Sequence, residues 1–112
     1  MELFFADPAL QRIAESALRC DARFGPIAAP LVRQRLCELM AADNVAVALL
    51  VPTLELRHAE DSKSKFVVRL SPQFRLVFES VADSVSADGD RQLDLAKIES
   101  IRVLAIEECN EP

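Results

Sequence analysis

The sequence predicts an α+β fold in which two N-terminal helices pack on one face of a twisted antiparallel sheet. Two stretches of apolar residues with helical period occupy the first part of the chain, at residues 8–20 and 26–42. The clearest strand pattern, a hairpin over residues 66–79, comes after both. One face of that hairpin is wholly apolar. Since helices that precede strands typically form a layer on an antiparallel sheet, we expect them to cover that face.

Length and composition predict one domain spanning residues 1–112, with a single core. No apolar run approaches the roughly 20 residues that a membrane span needs. Residues 1–7 lack the basic and apolar regions of a secretory signal. The three cysteines show no CxxC spacing, which favours reduced thiols over a disulfide framework or zinc site. We therefore expect a cytoplasmic protein without a membrane segment, a metal or another cofactor.

The first half of the chain predicts a strand followed by two helices. Residues 2–5 have the composition of a short strand. Asp7 and Pro8 then supply an N-cap and a first helical residue, and the apolar period continues to about Cys20. Gly25, between Phe24 and Pro26, should end this helix. A second amphipathic helix is expected from there to roughly Ala42.

The second half predicts four strands, which completes the order β-α-α-β-β-β-β. Residues 45–51 fit either a further helical turn or a strand, and residues 53–58 fit a strand. Beyond the hairpin, residues 80–97 are polar and are interpreted as a long loop. The last strand begins at 98 or 100 and ends at 107. Apolar residues occupy both faces of this strand, so we expect it in the interior of the sheet.

The hairpin register follows from its turn. If Ser71, Pro72 and Gln73 form the loop, the pairing runs from Leu70 opposite Phe74 to Lys65 opposite Glu79. Because side chains alternate across a strand, one face is then apolar: Phe66, Val68, Leu70, Phe74, Leu76 and Phe78. The other face carries Lys65, Val67, Arg69, Arg75, Val77 and Glu79.

Two arginines, Arg69 and Arg75, lie opposite each other on the second face, an arrangement that normally weakens a sheet. One interpretation is that both guanidinium groups splay into solvent while their stems cover the valines. The other is that both point at one place and bind a phosphate or carboxylate. The sequence leaves both interpretations open.

Charge is unevenly distributed along the chain. The net charge of −5 and pI near 4.8 argue against non-specific binding to nucleic acid. Residues 57–75, however, carry five Lys or Arg against two acids, a local charge of +3. A basic surface of this kind is compatible with one anionic ligand, and the acidic remainder could meet a basic partner.

No nucleotide-binding loop, zinc-protease motif or hydrolase serine motif is present. Four segments in this order nevertheless resemble the RelE/ParE toxin superfamily, in particular its HigB-like branch, the plasmid maintenance killer type also labelled "killer suppression protein". The segments are residues 1–5 with 8–11, residues 31–42, the pair Arg57–His58, and residues 66–79. Residues 98–106 fit the end of the family pattern, so the resemblance spans nearly the whole chain.

This resemblance implies a small bacterial toxin of RelE-like fold, with a concave sheet face left open by the helices. Members of the family typically cleave mRNA in the ribosomal A site without a metal. They are neutralised by a small antitoxin from the same operon. The implied function is thus that of a toxin in a type II toxin-antitoxin system, an mRNA interferase whose partners are a cognate antitoxin and the ribosome with its mRNA. The ParE branch instead inhibits DNA gyrase.

The resemblance assigns roles by position to His58, Arg75 and one of two lysines, and the hairpin face adds Arg69. His58 matches the histidine after the second strand, as catalytic base or acid, and Arg75 matches the catalytic arginine that follows the hairpin turn. Lys63 or Lys65 stands near the basic loop residues of the family. With Arg69, these lysines would bind RNA phosphate. For a lone histidine such as His58, a purely structural role remains the alternative.

The C-terminus departs from the family. HigB-like chains end with an acid-Tyr-His cluster that serves catalysis, whereas this chain reads Glu108, Cys109 and Asn110 and has no tyrosine at all. Losing a positioned acid or base typically costs roughly 10²–10⁴-fold in rate. The sequence therefore supports two main hypotheses. The protein is an endoribonuclease, or it is a catalytically degenerate RelE-fold protein that acts by binding an antitoxin or another protein. A ParE-like gyrase inhibitor is the third.

Overall fold

The computed structural model describes residues 1–60, 64–81 and 95–109. Within these ranges the strands are β1 (Glu2–Phe5), β2 (Arg57–His58), β3 (Lys65–Arg69), β4 (Phe74–Ser80) and β5 (Ser100–Glu108). These five strands form one sheet in the order β1-β5-β4-β3-β2. The helices are α1 (Pro8–Ala14), α2 (Ala17–Ala41) and α3 (Val45–Ala48). The α+β class is confirmed. None of the described helices is long and apolar enough to cross a bilayer.

The sheet is mixed, so the prediction of a purely antiparallel sheet was wrong. β1 pairs with β5 in parallel, with Phe5 opposite Val103, while the other three pairings are antiparallel. The sequence pattern identifies β1 as a strand but contains no signal for its partner. A long crossover through a helical layer permits parallel pairing, which a short hairpin turn forbids.

Helix α1 ends earlier than the apolar period suggested. Asp7 caps its start as predicted, with Oδ1 accepting the Ala9 N–H at 2.9 Å. The helix stops at Ala14 because Ser16 adopts extended backbone and caps the start of α2, accepting the Arg19 N–H at 3.2 Å. The prediction of one helix continuing to Cys20 was therefore wrong.

The predicted break at Gly25 is confirmed inside α2. Gly25 has φ 88° and ψ 161°, a conformation that residues with a Cβ rarely adopt, and Pro26 resumes the helix on its far side. Beyond the C-terminal end of α2, Asn44 caps the start of α3 by accepting the Val47 N–H at 2.9 Å. This cap resolves the ambiguity of residues 45–51 in favour of a short helical turn.

Helix α2 covers the apolar face of the β3–β4 hairpin. The hairpin register is the predicted one, from Lys65 opposite Glu79 to Arg69 opposite Arg75. Phe24 of α2 meets Phe74 edge to face, with ring centroids 4.9 Å apart. Most of the core comes from α2, the hairpin and β5: Cys20, Phe24, Ala28, Ala29, Val32, Leu36 and Leu39 of α2; Phe66, Val68, Leu70, Phe74, Leu76 and Phe78 of the hairpin; Ile101, Val103 and Ile106 of β5.

A β-bulge interrupts β5. Phe78 pairs with Val103 and Val77 pairs with Ala105, which leaves Leu104 as an extra residue. The interior position of β5 was predicted correctly, but its regular alternation was not. Because the bulge shifts the alternation by one residue, Ile106 rejoins the core. Glu107 then falls opposite Arg75, on the other side of the sheet.

Candidate functional site

The face of the sheet opposite α2, here called the open face, carries the candidate site. Its floor is a row of apolar residues that pair across the central strands, Val67 with Val77 and Val77 with Ala105. Charged side chains surround this row. A depression of about 650 Å³ lies over the row, and a smaller one of about 100 Å³ lies beside it, next to Cys109.

Arg69 and Arg75 lie together on the open face, as the sequence predicted, and each is close to a carboxylate. Arg75 Nε lies 3.0 Å from Glu107 Oε1. Arg69 Nε lies 3.8 Å from Glu55 Oε2, and Arg69 Nη1 donates to the Pro72 carbonyl at 3.2 Å. These carboxylates offset the repulsion between the facing arginines. Since both pairs are partly exposed, each contributes only about 0–1 kcal/mol and can be exchanged for a ligand anion.

Two further cations line the larger depression. Arg57 pairs with Val67 and therefore projects to the open face, and Lys65 belongs to the same face two residues along β3. Among the residues described, Arg57 and Lys65 form no ion pair and no side-chain hydrogen bond. Arg57 was missed as a site residue. The sequence placed it in a strand, but only the pairing with β3 shows which way its side chain points.

His58 lies on the other side of the sheet. It pairs with Phe66, and its ring lies 4.7 Å from the Phe66 ring at a tilt of 35°. Phe66 in turn stacks on Phe78 at 5.2 Å, so the imidazole ends a row of aromatic rings on the face that α2 covers. His58 borders the depression and is exposed. Its ring and the Arg75 guanidinium nevertheless belong to opposite faces.

The remaining predicted residues divide between the faces. Lys63 and Asn110 lie outside the described residues. Glu108 pairs with Phe74 and so points to the covered side. Cys109 follows on the open side, where it lines the smaller depression with Arg57, Arg69 and Arg75, and its N–H donates to the Gln73 carbonyl at 2.8 Å.

The described part of the chain contains no group of three or more His, Cys, Asp or Glu residues that could hold a metal ion. Comparisons of the chain with protein-family models, with curated proteins and with solved structures find no match. The open face offers guanidinium and ammonium donors above an apolar floor, a combination that suits a ligand with phosphate groups and flat apolar rings.

Proposed function

We propose that this protein is the toxin of a type II toxin-antitoxin system with a RelE-like fold, acting as a ribosome-dependent mRNA interferase. The observation that carries the proposal is the gathering of four cations on one uncovered sheet face: Arg57, Lys65, Arg69 and Arg75. This concentration occurs on a chain with a net charge of −5. The order of the elements and the family-like segments identified in the sequence support the same assignment.

Cleavage of RNA requires a base for the 2′-hydroxyl, an acid for the leaving oxygen, and cations around the phosphate. Arg75 and Arg69 present planar donors that match phosphate oxygens, and Arg57 and Lys65 form no ion pair with a described residue. His58 is the proton-transfer residue of the proposal. For this role its ring must leave Phe66 and reach the open face. Because alternation along the strand directs the His58 Cβ to the covered side, this requires a change in the backbone of β2, a two-residue strand at the edge of the sheet.

The second candidate is a catalytically degenerate protein that binds a protein partner, most simply an antitoxin. Two observations favour it. The His58 ring stacks on the face opposite Arg75. The C-terminal residues near the arginines are Glu107 and Cys109, with no tyrosine in the chain. Under this hypothesis the open face and helices serve as a binding surface, and no bond is broken.

Inducible expression in bacteria tests the interferase directly. Growth is followed after induction, and mRNA ends are mapped in a reconstituted translation reaction. Wild type should stop growth and cut mRNA on ribosomes, whereas Arg75→Ala and Arg57→Ala should weaken both effects. Arg12→Ala, an exposed change on α1, serves as the matched control and should behave as wild type. If wild type is harmless and leaves mRNA intact, the interferase proposal fails.

His58→Phe separates the two candidates. Phenylalanine keeps an aromatic ring against Phe66 but cannot transfer a proton, so the stack and the stability of the fold should be retained. An interferase that uses His58 should lose roughly 10²–10⁴-fold in cleavage rate. If His58→Phe melts at the wild-type temperature and cleaves mRNA at the wild-type rate, His58 takes no part in the reaction. If neither wild type nor His58→Phe cleaves mRNA and both bind the antitoxin equally well, the second candidate, a catalytically degenerate binding protein, is favoured.

A further inference from the structure

Two carboxylates occupy the open face at the arginines where a ligand phosphate would bind. Glu107 pairs with Arg75 at 3.0 Å, and Glu55 lies 3.8 Å from Arg69. The Glu107 and Glu55 side chains remain 45% and 63% exposed. They can therefore leave the arginines without disturbing the core, and an incoming anion must displace them.

Irregular backbone brings both carboxylates to this face. Regular alternation from Val103, a core residue, would place Glu107 on the covered side, and the extra residue Leu104 reverses that outcome. Glu55 has φ 46° and ψ 44°, the only positive φ among non-glycine residues that the structure describes. Such conformations cost free energy and concentrate at functional sites. Two independent irregularities thus supply the two acids.

We infer that Glu107, assisted by Glu55, determines ligand specificity on the open face by competing with phosphate for Arg75 and Arg69. This inference rests on the proposed RNA ligand. An isolated anion at Arg75 merely replaces one charge-assisted contact with another and gains little. A ligand with several linked phosphates also reaches Arg57 and Lys65, which have no partner among the described residues. The carboxylates therefore weaken the binding of a single anion, whereas a polyanionic strand gains the additional contacts with Arg57 and Lys65.

Binding of a labelled single-stranded RNA oligonucleotide, followed by fluorescence anisotropy at constant salt, tests the competition. Glu107→Gln keeps the size of the side chain and removes its charge, so it should bind RNA about two- to fivefold more tightly than wild type. Glu15→Gln, an exposed change on α1's C-terminal side, removes the same charge elsewhere and should leave affinity unchanged. Inorganic phosphate should displace RNA from Glu107→Gln at lower concentration than from wild type.

The same substitutions in an Arg75→Ala background provide the decisive comparison. If Glu107 acts by occupying Arg75, the effect of Glu107→Gln should disappear when Arg75 is absent. The inference is overturned, and the proposed function stands, if wild type binds RNA and Glu107→Gln binds no better. It is also overturned if Glu15→Gln produces the same gain. If neither wild type nor the Glu55→Gln, Glu107→Gln double variant binds RNA, the RNA ligand itself is wrong.

Discussion

Replacing Leu76 by alanine is expected to lower the free energy of unfolding by about 3 kcal/mol. Leu76 is fully buried on β4, between Val68 of β3 and Ile106 of β5, and belongs to the core that α2 completes. The substitution removes an isopropyl group, worth about 2.4 kcal/mol at about 0.8 kcal/mol per carbon, and the residual cavity adds to this loss. Urea denaturation followed by far-UV circular dichroism measures the difference. The melting temperature should fall by roughly 12 °C, at about 4 °C per kcal/mol for a chain of this size.

Val77→Ala is the matched control for Leu76→Ala. Val77 is the next residue of β4, and its half-buried side chain projects to the open face. Its replacement should cost less than about 1 kcal/mol. Equal losses for the two variants would mean that both faces of the sheet are covered in solution. A loss below about 1 kcal/mol for Leu76→Ala would mean that α2 does not cover the hairpin. Either result would refute the assignment of the faces.

Three further predictions concern α2. Gly25→Ala should lower the free energy of unfolding by about 1–3 kcal/mol through backbone strain alone, since no atom lies within 4 Å of the added Cβ; urea denaturation showing no loss would contradict the positive φ. In a variant lacking Cys37 and Cys109, the buried Cys20 thiol should react with DTNB far more slowly in the native protein than in urea, and equal rates would contradict its burial. Burial raises the pKa of Cys20 and outweighs the opposing hydrogen bond from Arg33. The resulting stabilisation is fully present below the pKa of the unfolded thiol and is lost as pH rises through the raised value. Cys20→Ala should remove this alkaline loss from the unfolding curves, and its persistence in that variant would assign it to another group.

The parts of the fold that sequence predicted correctly depend on neighbours along the chain. The hairpin register followed from a turn of three residues and strict alternation around it, since a slip of one residue would expose the phenylalanines. The break at Gly25 followed from a glycine before a proline. The cap at Asp7 followed from a side chain that accepts a hydrogen bond two residues away. Each of these signals is local, so a short stretch of sequence contains it.

The errors concern competition between local signals and long-range pairing. The apolar period continued past Ser16, but the serine cap ended α1 and left Leu18 82% exposed. β1 found its partner about 100 residues later, in a direction that its own composition does not encode. In β5, residues on both faces of the strand are apolar around Leu104, so the bulge there leaves no visible trace in the hydrophobic pattern of the sequence. For β1 and β5 the outcome depends on contacts with distant parts of the chain, whereas at Ser16 one local signal, the cap, overrode another, the apolar period.

The candidate site shows the same division. Lys65, Arg69 and Arg75 share one face because side chains alternate within the hairpin, so their grouping follows from the sequence alone. His58 and Arg57 are adjacent in a two-residue strand, so the face of each depended on how β2 pairs with β3. That pairing put Arg57 over the open face and the His58 ring on the covered one. A strand of this length has too little pattern to specify its own register.

Alternation and turn chemistry act over a few residues, so local patterns are enough to predict a buried apolar face of the hairpin and arginines on its opposite face. Which acids meet those arginines depends on contacts between strands that are far apart in the chain. Glu107 reaches Arg75 across 32 positions of the chain, through the pairing of β4 with β5 and the bulge at Leu104. The charge balance of the open face is therefore a property of the packed sheet, since no local segment contains both halves of either contact.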